Sequence, residues 1–206
     1  MGKNKNMPQI SYIPYKDIQE AKRFDADYFK AEYLNVEKKL LSIKHFALGE
    51  DDISYITDGI HASIDFDENS DVLLFSAKAP KENFFDISGL SRISKKQHSE
   101  NPRTALKIGD VIISTVGTIG NVAVVTNELL PANSDRHVWI IRPKNIPSFL
   151  ISTFLLSKFG RSQTNRRIVG NVQPNLYVRD LKTIIIPEFS KSFQLAMEHQ
   201  TTKAYE

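Results

Sequence analysis

"LKIGDVIISTVGTIGNVAVV", residues 106–125, decides how the rest of the chain is read. Two short runs rich in Val and Ile, Val111–Thr115 and Asn121–Thr126, flank glycines at 117 and 120. β-branched side chains suit a pleated, half-buried surface, and glycine permits backbone angles that other residues resist. The stretch predicts two buried strands, with Val111, Ile113, Val122 and Val124 in the core. Gly117-Thr118-Ile119-Gly120 supplies the turn between them. The polar pair Ser114-Thr115 interrupts the apolar run, which leaves two readings open: a tight hairpin, or a loop built to touch something.

The same texture extends to both sides. Ile53–Thr57 runs into Asp58-Gly59, Val72–Ser76 precedes Ala79-Pro80, His137–Arg142 ends at Pro143, and Leu181–Ile186 closes at Pro187. Short apolar runs separated by such signals predict a sheet of hairpins and loops. Upstream, Asp17-Ile18-Gln19-Glu20 has capping-box spacing. A helical pattern follows to about Ile43, as one helix or as two parted around Arg23-Phe24-Asp25. A further helix is predicted over Pro147–Lys158, with Phe149, Leu150, Phe154, Leu155 and Phe159 on one face and Gly160 as its stop. Phe193 and Met197, at i and i+4, mark a last helical start. The class is α+β: a mixed or antiparallel β-rich domain with hairpins, flanked by an N-terminal helix and the start of a C-terminal helix. Residues 1–14 read as a loose lead-in, 15–187 as one domain, and 188–206 as the start of a connecting or dimerising helix.

The bulk composition is that of an ordinary globular chain: 206 residues, 41% hydrophobic and 25% charged. The absence of cysteine excludes disulfides and thiolate metal sites and fits a reducing cytosol. The opening MGKNKNMPQI has no apolar run after its lysines, so no signal peptide is expected, and no stretch reaches the ~18 apolar residues of a membrane span. The net charge of +3 is small but unevenly spread. Residues 50–71 hold eight acids and no Lys or Arg, whereas residues 158–182 hold six bases against the single acid Asp180. Such asymmetry points to an oriented anion-binding face; two solvated loops of opposite sign would account for it equally.

Catalytic motifs are missing. Gly117-Thr118-Ile119-Gly120 is not a dinucleotide fingerprint, since a strand and not a helix follows, and no P-loop or H-E-x-x-H occurs. The five histidines are scattered. Asp135 and His137 would share a strand face only if their strand began early. No catalytic centre, metal or cofactor is therefore expected. Binding residues are plentiful instead. "GRSQTNRRIVGNVQPNLYVR", residues 160–179, contains four arginines, three asparagines and two glutamines. Arg pairs bidentately with guanine, and Asn or Gln with adenine, while all of them donate to phosphates. Gly170 and Pro174 mark a loop from which such side chains could project. A polar surface whose arginine stems cover apolar ground is the alternative.

Several blocks, in order, resemble the target recognition domain of type I restriction-modification specificity subunits, a domain also fused to some DNA methyltransferases. They are Arg23-Phe24-Asp25-Ala26-Asp27-Tyr28-Phe29; Ile56-Thr57-Asp58-Gly59-Ile60-His61; Leu106–Ser114 running into Gly117–Gly120; and Gly170–Leu176 followed by Asp180-Leu181 and Ile184–Pro187. The resemblance spans roughly residues 23–187. It implies a module without enzymatic activity that reads one half of a split double-stranded DNA target. Separate methyltransferase and restriction subunits would act on that target. It also implies a second recognition half, supplied by self-pairing of a half-length subunit or by a longer chain of which this is a fragment. The DNA-facing set it implies, with the basic segment, is His61, Ser63, Lys95, Lys96, Arg103, Thr118, Arg136, Arg161, Arg166, Arg167, Asn171, Gln173 and Asn175. On this reading Arg166→Ala with Arg167→Ala should weaken duplex binding. Two rivals remain: an assembly domain working through its terminal helices, and a Mg²⁺-dependent nuclease using acids such as Asp65 and Asp67.

Overall fold

A computed structural model describes residues 10–205; the first nine residues of the expected lead-in, and Glu206, lie outside the described residues. Val111–Ser114 (β5) pairs antiparallel with Val122–Val124 (β6) on one side and with Val138–Pro143 (β8) on the other. Ser54–Asp58 (β2) extends the sheet beyond β8, giving the order β2-β8-β5-β6. The predicted hairpin thus supplies one central strand, β5, and one edge strand, β6, of the main sheet. Both of its faces are buried, which is why it reads as a nearly continuous apolar run.

Alternation sorts the two faces. Val111, Ile113, Val122, Val124, Trp139 and Ile141 point to one core, and Ile112, Val138 and Ile140 to another. The first core is closed by Ser148–Leu156 (α4), whose Leu150, Ile151, Phe154 and Leu155 are buried, and by Leu40 from Ala31–Leu41 (α2). The second is closed by Phe75 of Leu73–Phe75 (β3) and Ala132 of Ala132–Ser134 (β7). Each fully buried Ile or Leu contributes about 1.5–3 kcal/mol relative to its exposed state. β3 pairs parallel with β7 and antiparallel with Ser91–Arg92 (β4), and His45–Ala47 (β1) pairs with Ile185–Pro187 (β9). The mixed α+β class follows.

One local alternative is settled and two expectations change. The N-terminal pattern is two helices, Tyr15–Ala21 (α1) and α2, parted by the Arg23 segment as one of its readings allowed. Asp17 lies inside the first turn of α1 and is not its cap, a position held by Pro14. Most consequentially, Gly160 does not stop a helix. α4 ends at Leu156, and a new helix, Lys158–Arg167 (α5), starts on the Ser157 cap, whose hydroxyl accepts from the Gly160 amide. A Cβ at Gly160 would sit 2.2 Å from the carbonyl oxygen of Phe154, so the glycine allows a close approach between helices. The segment taken for a projecting loop is therefore helical to Arg167. Lys95–Glu100 (α3), Val178–Leu181 (α6) and Lys191–Tyr205 (α7) complete the described α-helices.

Candidate nucleic-acid interface

One end of the central sheet gathers segments that lie far apart in sequence. Strand register places Asp58, the last residue of β2, opposite Trp139 near the start of β8, and Ser114, the last residue of β5, opposite Val138. The loops leaving these strands therefore share one rim.

The turn between β5 and β6 is built by the polar pair that interrupted its sequence. The Ser114 hydroxyl donates to the Thr118 carbonyl and accepts from the Asn121 amide at 3.1 Å, while Thr115 Oγ1 donates to the His137 carbonyl at 3.0 Å. Gly117 and Gly120 take left-handed φ values of 66° and 85°. Thr118 stands exposed at the tip. The loop after α5 reaches the same rim. Val169 and Asn175 exchange backbone hydrogen bonds of 2.9 and 2.8 Å, which turns 170–174 into a small closed loop with Asn171 and Gln173 exposed. Its base is fixed from both sides: the Leu176 amide donates to the Thr115 carbonyl (3.2 Å), and Trp139 Nε1 donates to the Leu176 carbonyl (2.7 Å).

Across the rim, the chain leaving β2 passes so close to β7 that a Cβ on Gly59 would lie 2.1 Å from the Asp135 carbonyl oxygen. This accounts for the glycine of the Ile56–His61 block. Asp58 accepts from Arg103 Nη1 at 2.6 Å and contacts His61 Nε2 at 2.5 Å. Burial pushes the Asp58 carboxyl up, but hydrogen bonds from Arg103 and His61 outweigh it and hold the group below the usual carboxylate range. Arg103 follows α3, which is locked down by buried Gln97: its amide donates to the Ser63 carbonyl (2.8 Å) and accepts from the Asp65 amide (2.9 Å). Lys95 and Lys96 lie exposed on α3, paired with Asp71 (3.2 Å) and Glu100 (4.0 Å). Ser63 and Arg136 are exposed. Asp135 caps its own turn by accepting from the His137 amide at 2.8 Å, and β8 begins only at Val138, so these two form a turn and not a strand-face pair. Among the described residues no group of three or more His, Asp or Glu gathers where one metal ion could be held.

Three basic residues of the expected set have internal duties. Arg161, half-buried, donates to Glu82 at 2.6 Å and to the Leu156 carbonyl at 3.1 Å. Arg166 and Arg167 are only 6% and 5% exposed. Both pair with Glu37 of α2; Arg166 also donates to the Tyr28 carbonyl (3.0 Å) and stacks over the Tyr28 ring, and Arg167 donates to Thr183. Burial pushes both guanidiniums down, and even so they stay charged. Their expected projection toward a ligand is corrected: helical geometry turns them inward, against the Arg23–Phe29 segment. That segment is tied to the same place by Arg23, which donates to the Ile168 carbonyl at 3.1 Å.

Sequence reasoning missed Asp110 and Arg142. Asp110, fully buried, accepts from Arg142 Nε and Nη2 at 2.8 and 2.7 Å and from the Lys107 amide at 2.9 Å. It locks the start of β5 to β8 at the end of the sheet opposite the rim. The Gly109-Asp110 pair was the available signal, since Gly109 takes a left-handed φ of 84° just before the strand.

Neither a family model nor a curated protein sequence matches the chain. Solved structures do. The fold is similar to the type I restriction-modification S subunit from M. genitalium, with a TM-score of 0.52 and 12% identity over 77% of this chain and 38% of that one. The HsdS subunit from Thermoanaerobacter tengcongensis matches with a TM-score of 0.52 and 17% identity over 91% of this chain and 46% of its own. The type IIG restriction endonuclease BpuSI matches at 0.60 with 8% identity, over 90% of this chain and 30% of that enzyme. The chain thus spans less than half the length of each. The resemblance read from the sequence blocks is met at the level of fold.

Proposed function

We propose that the chain is a sequence-specific DNA recognition module of a restriction-modification system, reading one half of a duplex target and leaving catalysis to separate subunits. One observation carries this reading. Exposed polar residues from four separate segments, around His61, Arg103, Thr118 and Asn171, converge on one end of a sheet whose fold is shared with S subunits. Lys95, Lys96 and Arg136 would add salt-dependent phosphate contacts beside them, and the loop side chains would read base edges. Selection of the purified chain on random duplexes, followed by a salt titration on the enriched sequence, tests it. An enriched motif whose affinity falls with salt is expected. No enrichment, with affinity indifferent to sequence, would sink it.

A second reading, assembly with a methyltransferase subunit, concerns a groove lined by other residues and is compatible with the first. An open apolar groove of about 340 Å³ lies between α2, α4 and α7, lined by Leu40, Ile43, Leu150, Phe154, Phe193 and Met197. Of its lining residues, Ile43 and Phe193 are among the exposed large hydrophobics of the chain. No helix among the described residues is long and apolar enough to cross a membrane. The mass of the chain in solution, alone and mixed with a methyltransferase subunit, would decide this reading: unchanged mass in both would remove it.

A further inference from the structure

Arg103 is held in an unusual way for a surface arginine. Its Nη1 is spent internally, on the Asp58 carboxylate at 2.6 Å, the Asp58 carbonyl at 3.3 Å and the Thr57 hydroxyl. Its side chain is nevertheless 50% exposed. Among the described residues nothing accepts from Nε or Nη2. An arginine fixed through one nitrogen keeps a free two-donor edge whose direction is already set, so little rotamer freedom is lost when that edge binds. Asp58 is fixed in turn, by its place at the end of β2 and by His61 on its other oxygen.

Two acceptors fit such an edge: the O6/N7 pair of guanine and the paired oxygens of a phosphate. The neighbouring carboxylate separates them. Asp58, held ionised by its partners, lies within 2.6 Å of the guanidinium. It offsets the attraction for an anionic phosphate and repels it directly, whereas a guanine edge, neutral overall and carrying only partial charges, is repelled far less. With both carboxylate oxygens engaged, Asp58 is also a poor acceptor for a cytosine amino group.

We infer that Arg103, pinned by Asp58, is a specificity-determining residue that reads one guanine through its Nε–Nη2 edge. The inference rests on the DNA-recognition reading above and assigns a base to one residue of that rim.

The test uses the full chain and the motif it selects from random duplexes. Replacing the guanine at the contacted position with 7-deazaguanine, which lacks the N7 acceptor, should weaken wild-type binding about tenfold, the scale of one bidentate pair. Arg103→Lys should flatten preference at that position alone. Asp58→Asn should flatten it too while raising affinity for unrelated duplex, because an unneutralised arginine accepts phosphate. The inference is overturned if no guanine of the motif responds to 7-deaza substitution, if Arg103→Lys selects the wild-type motif unchanged, or if it loses affinity evenly across sequences, as a phosphate contact would. The deaza experiment needs no variant and so stands even if a variant melts early. A wild-type chain that selects no motif would instead remove the recognition reading, and this inference with it.

Discussion

Arg166 and Arg167 stand at the most basic point of the sequence and lie buried against Glu37, whereas Arg103 stands alone in sequence and is half exposed against Asp58. Each arginine meets a carboxylate, but the surroundings give the pairs different work. At Glu37 two guanidiniums share one acid below the surface, other donors of theirs go to Tyr28, Gln163 and Thr183 inside the chain, and almost nothing of either side chain is exposed. At Asp58 one guanidinium is fixed by a single nitrogen and the rest is left over. Local charge density therefore does not locate a binding surface. What counts is whether donors remain at the surface once the fold has taken its share.

Breaking the internal pair should have the largest effect. Arg166→Ala leaves part of Glu37 unmatched in a mostly dry site, and removing one partner of a buried ion pair costs about 3–5 kcal/mol. For a chain of this size the melting temperature should fall by roughly 10 °C. A double Arg166→Ala, Arg167→Ala variant will therefore lose duplex binding by unfolding. Thermal melting with and without DNA separates that loss from a lost contact; a variant that melts like wild type yet fails to bind would break the contrast drawn above. Asp110→Asn should cost somewhat less, about 2–3 kcal/mol. It keeps the shape but removes the charge from hydrogen bonds to Arg142. Urea titration checks this, and a cost below 1 kcal/mol would show that Arg142 finds another acceptor. Arg103→Lys should change stability by less than about 1 kcal/mol, as for other exposed pairs, while altering the selected motif.

The central sheet was legible because it obeys a simple rule. Val111, Ile113, Val122 and Val124 alternate as a sheet requires, and their glycines sit where the chain turns. α5 broke the corresponding rule for helices. Gly160, Gln163, Arg166 and Arg167 recur at helical spacing, but the stripe is polar. It is buried by hydrogen bonding and not by apolar contact. Gln163 bridges both backbone groups of Ile185 in β9, at 2.8 and 2.9 Å, and so closes an open strand edge. A search for apolar periodicity passes over such a helix and reads its glycine as a stop. β7 was missed for a related reason: Ala132-Asn133-Ser134 is short and polar, and its place beside β3 is set by a parallel pairing to distant sequence. Of the candidate site, the glycine turn and the loop after Gly170 could be read, since both are marked by local chain geometry. The Asp58–Arg103 pair could not, because its partners lie 45 residues apart.

The smallest expected effect sharpens the comparison from the Asp58 side. Its carboxyl is held below its ordinary value, so the folded state binds a proton there less readily than the unfolded chain. The resulting stabilisation is present above the unfolded value of about 3.9 and is lost as pH falls through the depressed folded one. Asp25, lowered by its hydrogen bond from Arg23, contributes with the same sign. Acid unfolding of wild type should therefore be steeper than that of Asp58→Asn, whose amide cannot titrate, and the curves should converge at the lowest pH. High salt should shrink the difference, because the pair is open to solvent and screened. The Glu37 cluster, shielded from solvent, should respond to salt far less. Equal salt sensitivity at both sites would mean that Arg103 is as enclosed as Arg166, which would leave it no free edge to offer a base.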